Sequence, residues 1–176
     1  MGEEESGSPG RIAGLCLRVA GAADAGLILE LIRELAAFER LAHEVVADEG
    51  ALCRHLFGER PAADVLIAEV DGAPAGFALF FTSFSTFVGK PGIYLEDLFI
   101  RPAFRGRGVG RAMLARLAQT ALQRGCGRFE WSVLDWNERA IGFYRRLGAR
   151  PMSDWTVFRL DGEALEVLAS EPSAGP

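Results

Sequence analysis

The stretch Arg105-Gly106-Arg107-Gly108-Val109-Gly110-Arg111 alternates glycines with arginines and one valine. Glycine allows a tight turn and close approach of a ligand to the backbone. The guanidinium groups add cationic donors. If a helix starts here, its first N–H groups and the positive end of its dipole face the same space. Such a loop suits a pyrophosphate; the plain alternative is a glycine-rich turn with solvated arginines. A P-loop needs Gly-x4-Gly-Lys-[Ser/Thr], and no such run exists. The dinucleotide fingerprint Gly-x-Gly-x-x-Gly would need glycine where Arg111 stands, near the start of a domain rather than after a run of strands. Neither ATP nor NAD is therefore favoured. Cys53 and His55 are close, but His43 is the only other histidine and no metal-ligand spacing emerges, so no metal is expected.

The elements around the loop follow from periodicity. Leu15, Leu17 and Val19 alternate as a short strand. Asp24 is placed to cap a helix whose stripe is Leu27, Ile28, Leu31, Ile32, Leu35 and Phe38. A second helix covers Asp48 to Phe57. Strands run from Asp64 to Val70, from Gly76 to Thr82 after the Asp71-Gly72 hairpin signal, and from Gly92 to Ile100. The loop then feeds a helix with Val109, Met113, Leu114, Leu117, Ala118, Ala121 and Leu122 inward, closed by Gly125. A strand from Arg128 to Leu134, a helix from Asn137 carrying Ile141, Phe143, Tyr144 and Leu147, a last strand from Trp155 to Leu160 and a helix from Gly162 to Ser170 complete the chain. Hairpin-linked strands followed by strand–helix–strand–helix predict a mixed α/β or α+β domain.

The chain has 176 residues, 49% apolar and 24% charged, which fits one globular domain. We expect a disordered tail over 1–12, one domain over 13–170 and a frayed end over 171–176. With 19 basic and 24 acidic residues the net charge is −5, which disfavours nucleic acid and suits small cations. No apolar run approaches a membrane span. Met1-Gly2 with Ser6 fits a loose myristoylation pattern, but the acidic residues beside it oppose an anionic membrane. Three separated cysteines, Cys16, Cys53 and Cys126, favour a reducing, cytoplasmic compartment.

Arg105-x-x-Gly108-x-Gly110 resembles the Arg/Gln-x-x-Gly-x-Gly/Ala motif of the GNAT superfamily of N-acetyltransferases. Leu95-Glu96-Asp97-Leu98-Phe99-Ile100 before it and Asn137 to Ala149 after it, with Phe143-Tyr144 and Gly148, are similar to the family's flanking segments. The resemblance runs from about Leu15 to about Leu160. Within the family, Glu34 to Glu39, Tyr94-Leu95-Glu96-Asp97 and Asp135-Trp136-Asn137-Glu138 resemble the diamine (spermidine/spermine) and thialysine acetyltransferases.

This resemblance implies a mixed, mostly antiparallel sheet with splayed strands, helices on both faces, acetyl-CoA as co-substrate and a homodimer. Backbone groups of Leu98, Phe99 and Ile100 would meet the pantetheine arm, and Arg105, Gly106, Arg107, Gly108, Val109, Gly110 and Arg111 the pyrophosphate. Asn137 and Ala140 would touch the coenzyme, and Tyr144 the region of the thioester sulfur. These last three residues share one helical face, about 10 Å long at roughly 1.5 Å per residue. Phe38, Glu39, Glu96, Asp97, Glu130, Trp131, Ser132 and Trp155 would receive the acceptor. The polyamine enzymes tend to carry tyrosine where Phe38 stands, and Asp154 is the only acid between Ala149 and Trp155, so a cationic amine is implied without a polyamine being fixed.

The chemistry so implied is direct attack of an amine on the thioester. Alkyl amines have pKa values near that of lysine, about 10.4, and arrive protonated. Glu96 is the candidate base, through water, and Tyr144 the candidate acid for the leaving thiolate. Two alternatives stand beside a small amine: acetylation of a protein lysine or N-terminus, and a non-catalytic acyl-CoA-binding module.

Overall fold

The computed structural model describes residues 12–172. The expected N-terminal tail, apart from Ile12, the Met1-Gly2 pattern and residues 173–176 of the expected frayed end lie outside the described residues. The elements are β1 (Leu15–Val19), α1 (Ala25–Glu39), α2 (Glu49–Phe57), β2 (Asp64–Val70), β3 (Ala73–Ser85), β4 (Lys90–Ile100), α3 (Val109–Gln123), β5 (Arg128–Trp131), α4 (Glu138–Arg146) and α5 (Gly162–Ala169). They fall into two compact units, Met1–Ser132 and Val133–Pro176.

The first unit holds a five-stranded sheet in the order β1-β2-β3-β4-β5. Pairing is antiparallel from β1 to β4, and β5 joins β4 in parallel. Asp71 and Gly72, both at positive φ (52° and 79°), make the tight turn from β2 into β3. Because side chains alternate along a strand, each face gathers its own residues. On one face Val65, Ile67, Phe77 and Phe99 pack with Ile28, Leu31 and Leu35 of α1 and Leu56 of α2. Strand residues of opposite parity, Leu66, Ala78, Phe80 and Leu95, are buried as well. Met113, Leu114 and Leu117 form the buried stripe of α3, which packs against β2, β4 and β5. Truncating fully buried Phe77 to alanine would cost about 3–5 kcal/mol.

Ion pairs lock the helices to the sheet. Arg101, just past β4, donates from Nε to both Glu34 carboxylate oxygens at 3.1 and 3.0 Å and from Nη1 to the Pro74 carbonyl at 3.1 Å. Its Nη2 also reaches Glu30 and Glu34. Arg18 makes a two-pronged bond to Asp24 at 2.8 Å on each arm and donates to Glu69 at 2.9 Å.

Several expectations need correction. Asp24 makes no side-chain cap on α1; a 3-10 turn over Ala22–Asp24 intervenes, and the carboxylate accepts from the Gly21 N–H and from Arg18 instead. The α2 cap does form, with Asp48 accepting from the Ala51 N–H at 2.6 Å. Leu122 is 78% exposed, and Ala118, one turn before it on the same face, is exposed too: the buried stripe runs through Met113, Leu114, Leu117 and Ala121 and leaves that face to solvent. β3 and β4 are longer than expected and β5 shorter, ending at Trp131.

In the second unit, α4 begins at Asn137, whose Oδ1 accepts from the Ala140 N–H at 3.2 Å. The expected strand from Trp155 to Leu160 does not form. Trp155 N–H closes a turn on the Met152 carbonyl, and residues 151–172 are exposed throughout. β-propensity alone does not make a strand, because its backbone groups need a neighbouring ladder.

Candidate active site

At the middle of β4 the sheet changes in two ways at once. Leu79 pairs with Asp97 but Phe80 pairs with Leu95, so Glu96 is an extra, bulged residue. The β4–β5 pairing also ends there, at Leu95 with Trp131. Among the described residues, β4 from Asp97 to Ile100 has a ladder partner only on the β3 side. This is the splayed edge expected at Leu98, Phe99 and Ile100. The Phe99 side chain itself belongs to the core against α1.

The two adjacent acids differ in their surroundings. Glu96 is exposed, while Asp97 points to the α1 face, sharing it with Leu79 and Phe99. Burial raises the Asp97 carboxyl to about 6, with smaller contributions from the negative charges of Glu96 and Glu39. Glu39, at the end of α1, is also raised by burial. Asp97 thus lies close enough to Glu96 and Glu39 to sense their charge. Three carboxylates in a partly buried setting favour a cation in their midst.

The glycine-rich loop begins directly after the Pro102–Phe104 turn and runs into α3. Gly106 and Gly108 have φ of 75° and 84°, values that L side chains rarely adopt. Gly108 is the N-cap of α3, so the first turn's N–H groups open at the loop. A Cβ on Gly106 would meet no atom within 4 Å, whereas one on Gly108 would lie 3.2 Å from Ile12 Cδ1. The open space beside Gly106, the helix start at Gly108 and the arginines fit a pyrophosphate. Arg105 itself turns inward: its Nε donates to the Ile100 carbonyl at 2.7 Å and its guanidinium stacks on Phe38 and Phe99. Arg107 lies over the Phe104 ring, and Arg111 is exposed on the first turn of α3.

The remaining expected residues are spread over both units. Glu130 pairs with Arg128 at 2.7 Å. Trp131 stacks edge-on with Phe129 at 5.0 Å between centroids. Ser132 and Tyr94 share a hydrogen bond of 2.7 Å, and Tyr94 stacks on Phe81. In the second unit Tyr144 is half-buried, with its ring 5.4 Å from that of Phe143. Trp155 is exposed. The first unit thus brings together Phe38, Glu39, Glu96, Asp97, Phe99, Ile100 and Arg105. Sequence reasoning missed Tyr94 as the partner of Ser132 and Glu34 as the clamp on Arg101. It also missed the bulge, whose one trace is the pair of adjacent acids interrupting an apolar strand. Among the described residues no group of His, Cys, Asp and Glu is arranged for a metal, and no helix is long and apolar enough to cross a membrane.

Residues 29–149 match the model of the acetyltransferase (GNAT) family. The chain is 39% identical over 171 residues to thialysine N-epsilon-acetyltransferase of Sus scrofa, covering 91% of this chain and 100% of the relative. It is 33% identical to an L-ornithine N5-acetyltransferase of Arabidopsis thaliana, covering 86% of each chain. In fold it is similar to an integron cassette protein of V. cholerae, with TM-score 0.76, 23% identity and coverage of 90% and 99%. It is likewise similar to an aminoglycoside acetyltransferase from an uncultured soil sample, with TM-score 0.71, 18% identity and coverage of 84% and 97%. The family model spans most of α1, strands β2 to β5, the loop and α4, and these two relatives align over most of their own length: the chain belongs to the GNAT acetyltransferase family and is an N-acetyltransferase.

Proposed function

We propose that this chain, as one domain over 13–170, transfers acetyl from acetyl-CoA to the amino group of a small cationic amine. The class is that of thialysine and ornithine, on which similar proteins are named as acting, and of the diamines and polyamines that the resemblance implies. The observation that carries the reading is the acid group Glu39, Glu96 and Asp97 at the bulge of β4, beside an edge that β5 has left.

Arg107, Val109, Gly110 and Arg111, with the backbone of Gly106 and Gly108, hold the pyrophosphate. The unpaired edge of Leu98 to Ile100 receives the pantetheine amides. Asp97 and Glu39 hold the acceptor as a cation, while Phe38, Glu130, Trp131, Ser132 and Trp155 shape its surroundings. Glu96, exposed on the bulge, takes a proton from the ammonium through water. The neutral nitrogen then attacks the thioester carbon, the C–S bond breaks, and Tyr144 O–H protonates the thiolate, whose conjugate acid lies near 8.5; the second proton, shed by the nitrogen as the amide forms, returns through solvent to the Tyr144 oxygen. Asn137 and Ala140 contribute from the start of α4. No covalent enzyme intermediate is involved. We further assign the protein to the cytoplasm, in keeping with three free cysteines, and to a homodimer.

A thiol-release assay with acetyl-CoA over a panel of diamines, polyamines, thialysine, ornithine and basic peptides tests the reading. Turnover on one of the small amines is expected. Turnover on peptides alone would replace it with the protein-acetylating reading, and CoA binding without turnover on any acceptor would favour a silent module.

A further inference from the structure

Phe38, in the last turn of α1, is expected to face the acceptor, yet its ring has another neighbour. The Arg105 Cζ lies 4.6 Å from the Phe38 ring centroid and 5.6 Å from that of Phe99. The same guanidinium donates from Nε to the Ile100 carbonyl at 2.7 Å. Phe99 and Ile100 are the last residues of β4, and Phe99 is fixed in the core. The first residue of the glycine-rich loop thus reaches from the end of β4 to the end of α1.

Beyond Arg105, the loop has the Arg107 guanidinium over the Phe104 ring, at 5.8 Å from its centroid, and two glycines. Gly106 and Gly108 have no side chains and sit at positive φ, a conformation that glycine also leaves readily. The far end of the loop is tied by the Ala112 N–H bond to the Gly108 carbonyl. The near end is tied by the Arg105 N–H bond to the Pro102 carbonyl and by the Arg105 side chain. A guanidinium over an aromatic ring is an attractive contact that can bias a short loop between conformations.

We propose that Phe38 is a positioning residue for the coenzyme loop: its ring holds the Arg105 guanidinium, and Arg105 holds the loop in the form that takes the pyrophosphate. The acceptor end of α1 and the coenzyme site are thereby coupled, and coupling is reciprocal. The inference rests on the reading that this loop binds acetyl-CoA.

The test is calorimetric titration of CoA alone, without amine, into wild type, Phe38→Leu, Phe38→Tyr, Arg105→Met and the Phe38→Leu/Arg105→Met pair. Phe38 is 41% exposed, so its replacement leaves the core intact; Arg105→Lys, which keeps the charge but loses the planar fork, is a second probe. Phe38→Leu is expected to weaken CoA about three- to tenfold, and Arg105→Lys similarly. Phe38→Tyr, which keeps a ring, should restore nearly wild-type affinity. The double variant should bind no more weakly than Arg105→Met, the mark of two residues acting as one. CoA affinity unchanged in Phe38→Leu, or losses that multiply in the double variant, would overturn the proposal while leaving the function standing. A wild-type chain that takes up no CoA would overturn both.

Discussion

Asp97 is held where charge is disfavoured, and this sets two opposite pH effects. Its folded pKa, about 6, lies above the ordinary 3.8. Between these values the folded protein binds more protons than the unfolded chain, so stability falls as pH rises through this window and levels off above about 6. Asp97→Asn removes that penalty. It should raise stability at pH 8 by roughly 1–3 kcal/mol and leave stability at pH 4 nearly unchanged, as read from denaturant midpoints. Cation binding moves the other way. As pH falls through about 6, Asp97 loses its charge, so the acceptor KM should rise in wild type and stay flat in Asp97→Asn. A KM profile of wild type without that rise would remove Asp97 from the acceptor site. Tyr144→Phe deletes one hydroxyl and little volume; turnover should fall by about tenfold or more with the CoA dissociation constant held. Wild-type turnover, where chemistry limits the rate, would end the acid assignment. Glu96→Gln should instead shift activity toward alkaline pH, because the amine must then arrive neutral. The adjacent acids were legible in the sequence. Their placement on opposite sides of the strand was legible too, from alternation alone; which of them is exposed and which half-buried was not, because that depends on the register against β3.

At the scale of elements, the loop and α3 were readable because local rules determine them: glycine at positive φ, a helix start at Val109 and a closing Gly125 at φ 68°. Gly108→Val tests that reading. A β-branched residue at φ 84° stores about 1–3 kcal/mol of strain, and its Cβ would lie 3.2 Å from Ile12 Cδ1, a flexible end that can give way. The fold should persist with a lowered melting temperature, while CoA affinity falls by tenfold or more, about 1.4 kcal/mol. Undiminished affinity in a folded variant would remove the loop from the site. The segment from Trp155 to Leu160 shows where local rules end. Its residues favour a strand, but a strand is a relation between two backbones. Asp24 is a similar case: its type suits a helix cap, yet Arg18, one strand away, claims both oxygens.

Over the whole molecule, the apolar surface is unevenly spent. Phe84, Phe87 and Val88 stand exposed around the β3–β4 turn. From Met152 to Leu168, the side chains of Met152, Trp155, Val157, Phe158, Leu160, Leu165, Val167 and Leu168 are each at least half exposed. Single exposed apolar residues are ordinary, but runs of large ones mark surfaces that a partner covers. The net charge of −5 is modest and opposes self-association weakly at physiological salt. A second copy of this chain is the partner we assign. Light scattering at micromolar concentration should give about twice the 19.0 kDa chain mass. Val157 and Phe158, at 82% and 91% exposure, have little packing to lose within one chain. Replacing both with serine should therefore leave the helical signal in place and bring the mass down to that of one chain. A wild-type mass of 19.0 kDa across the concentration range would refute the homodimer. A double variant that still weighs as a dimer would move the interface away from this segment, toward the β3–β4 turn.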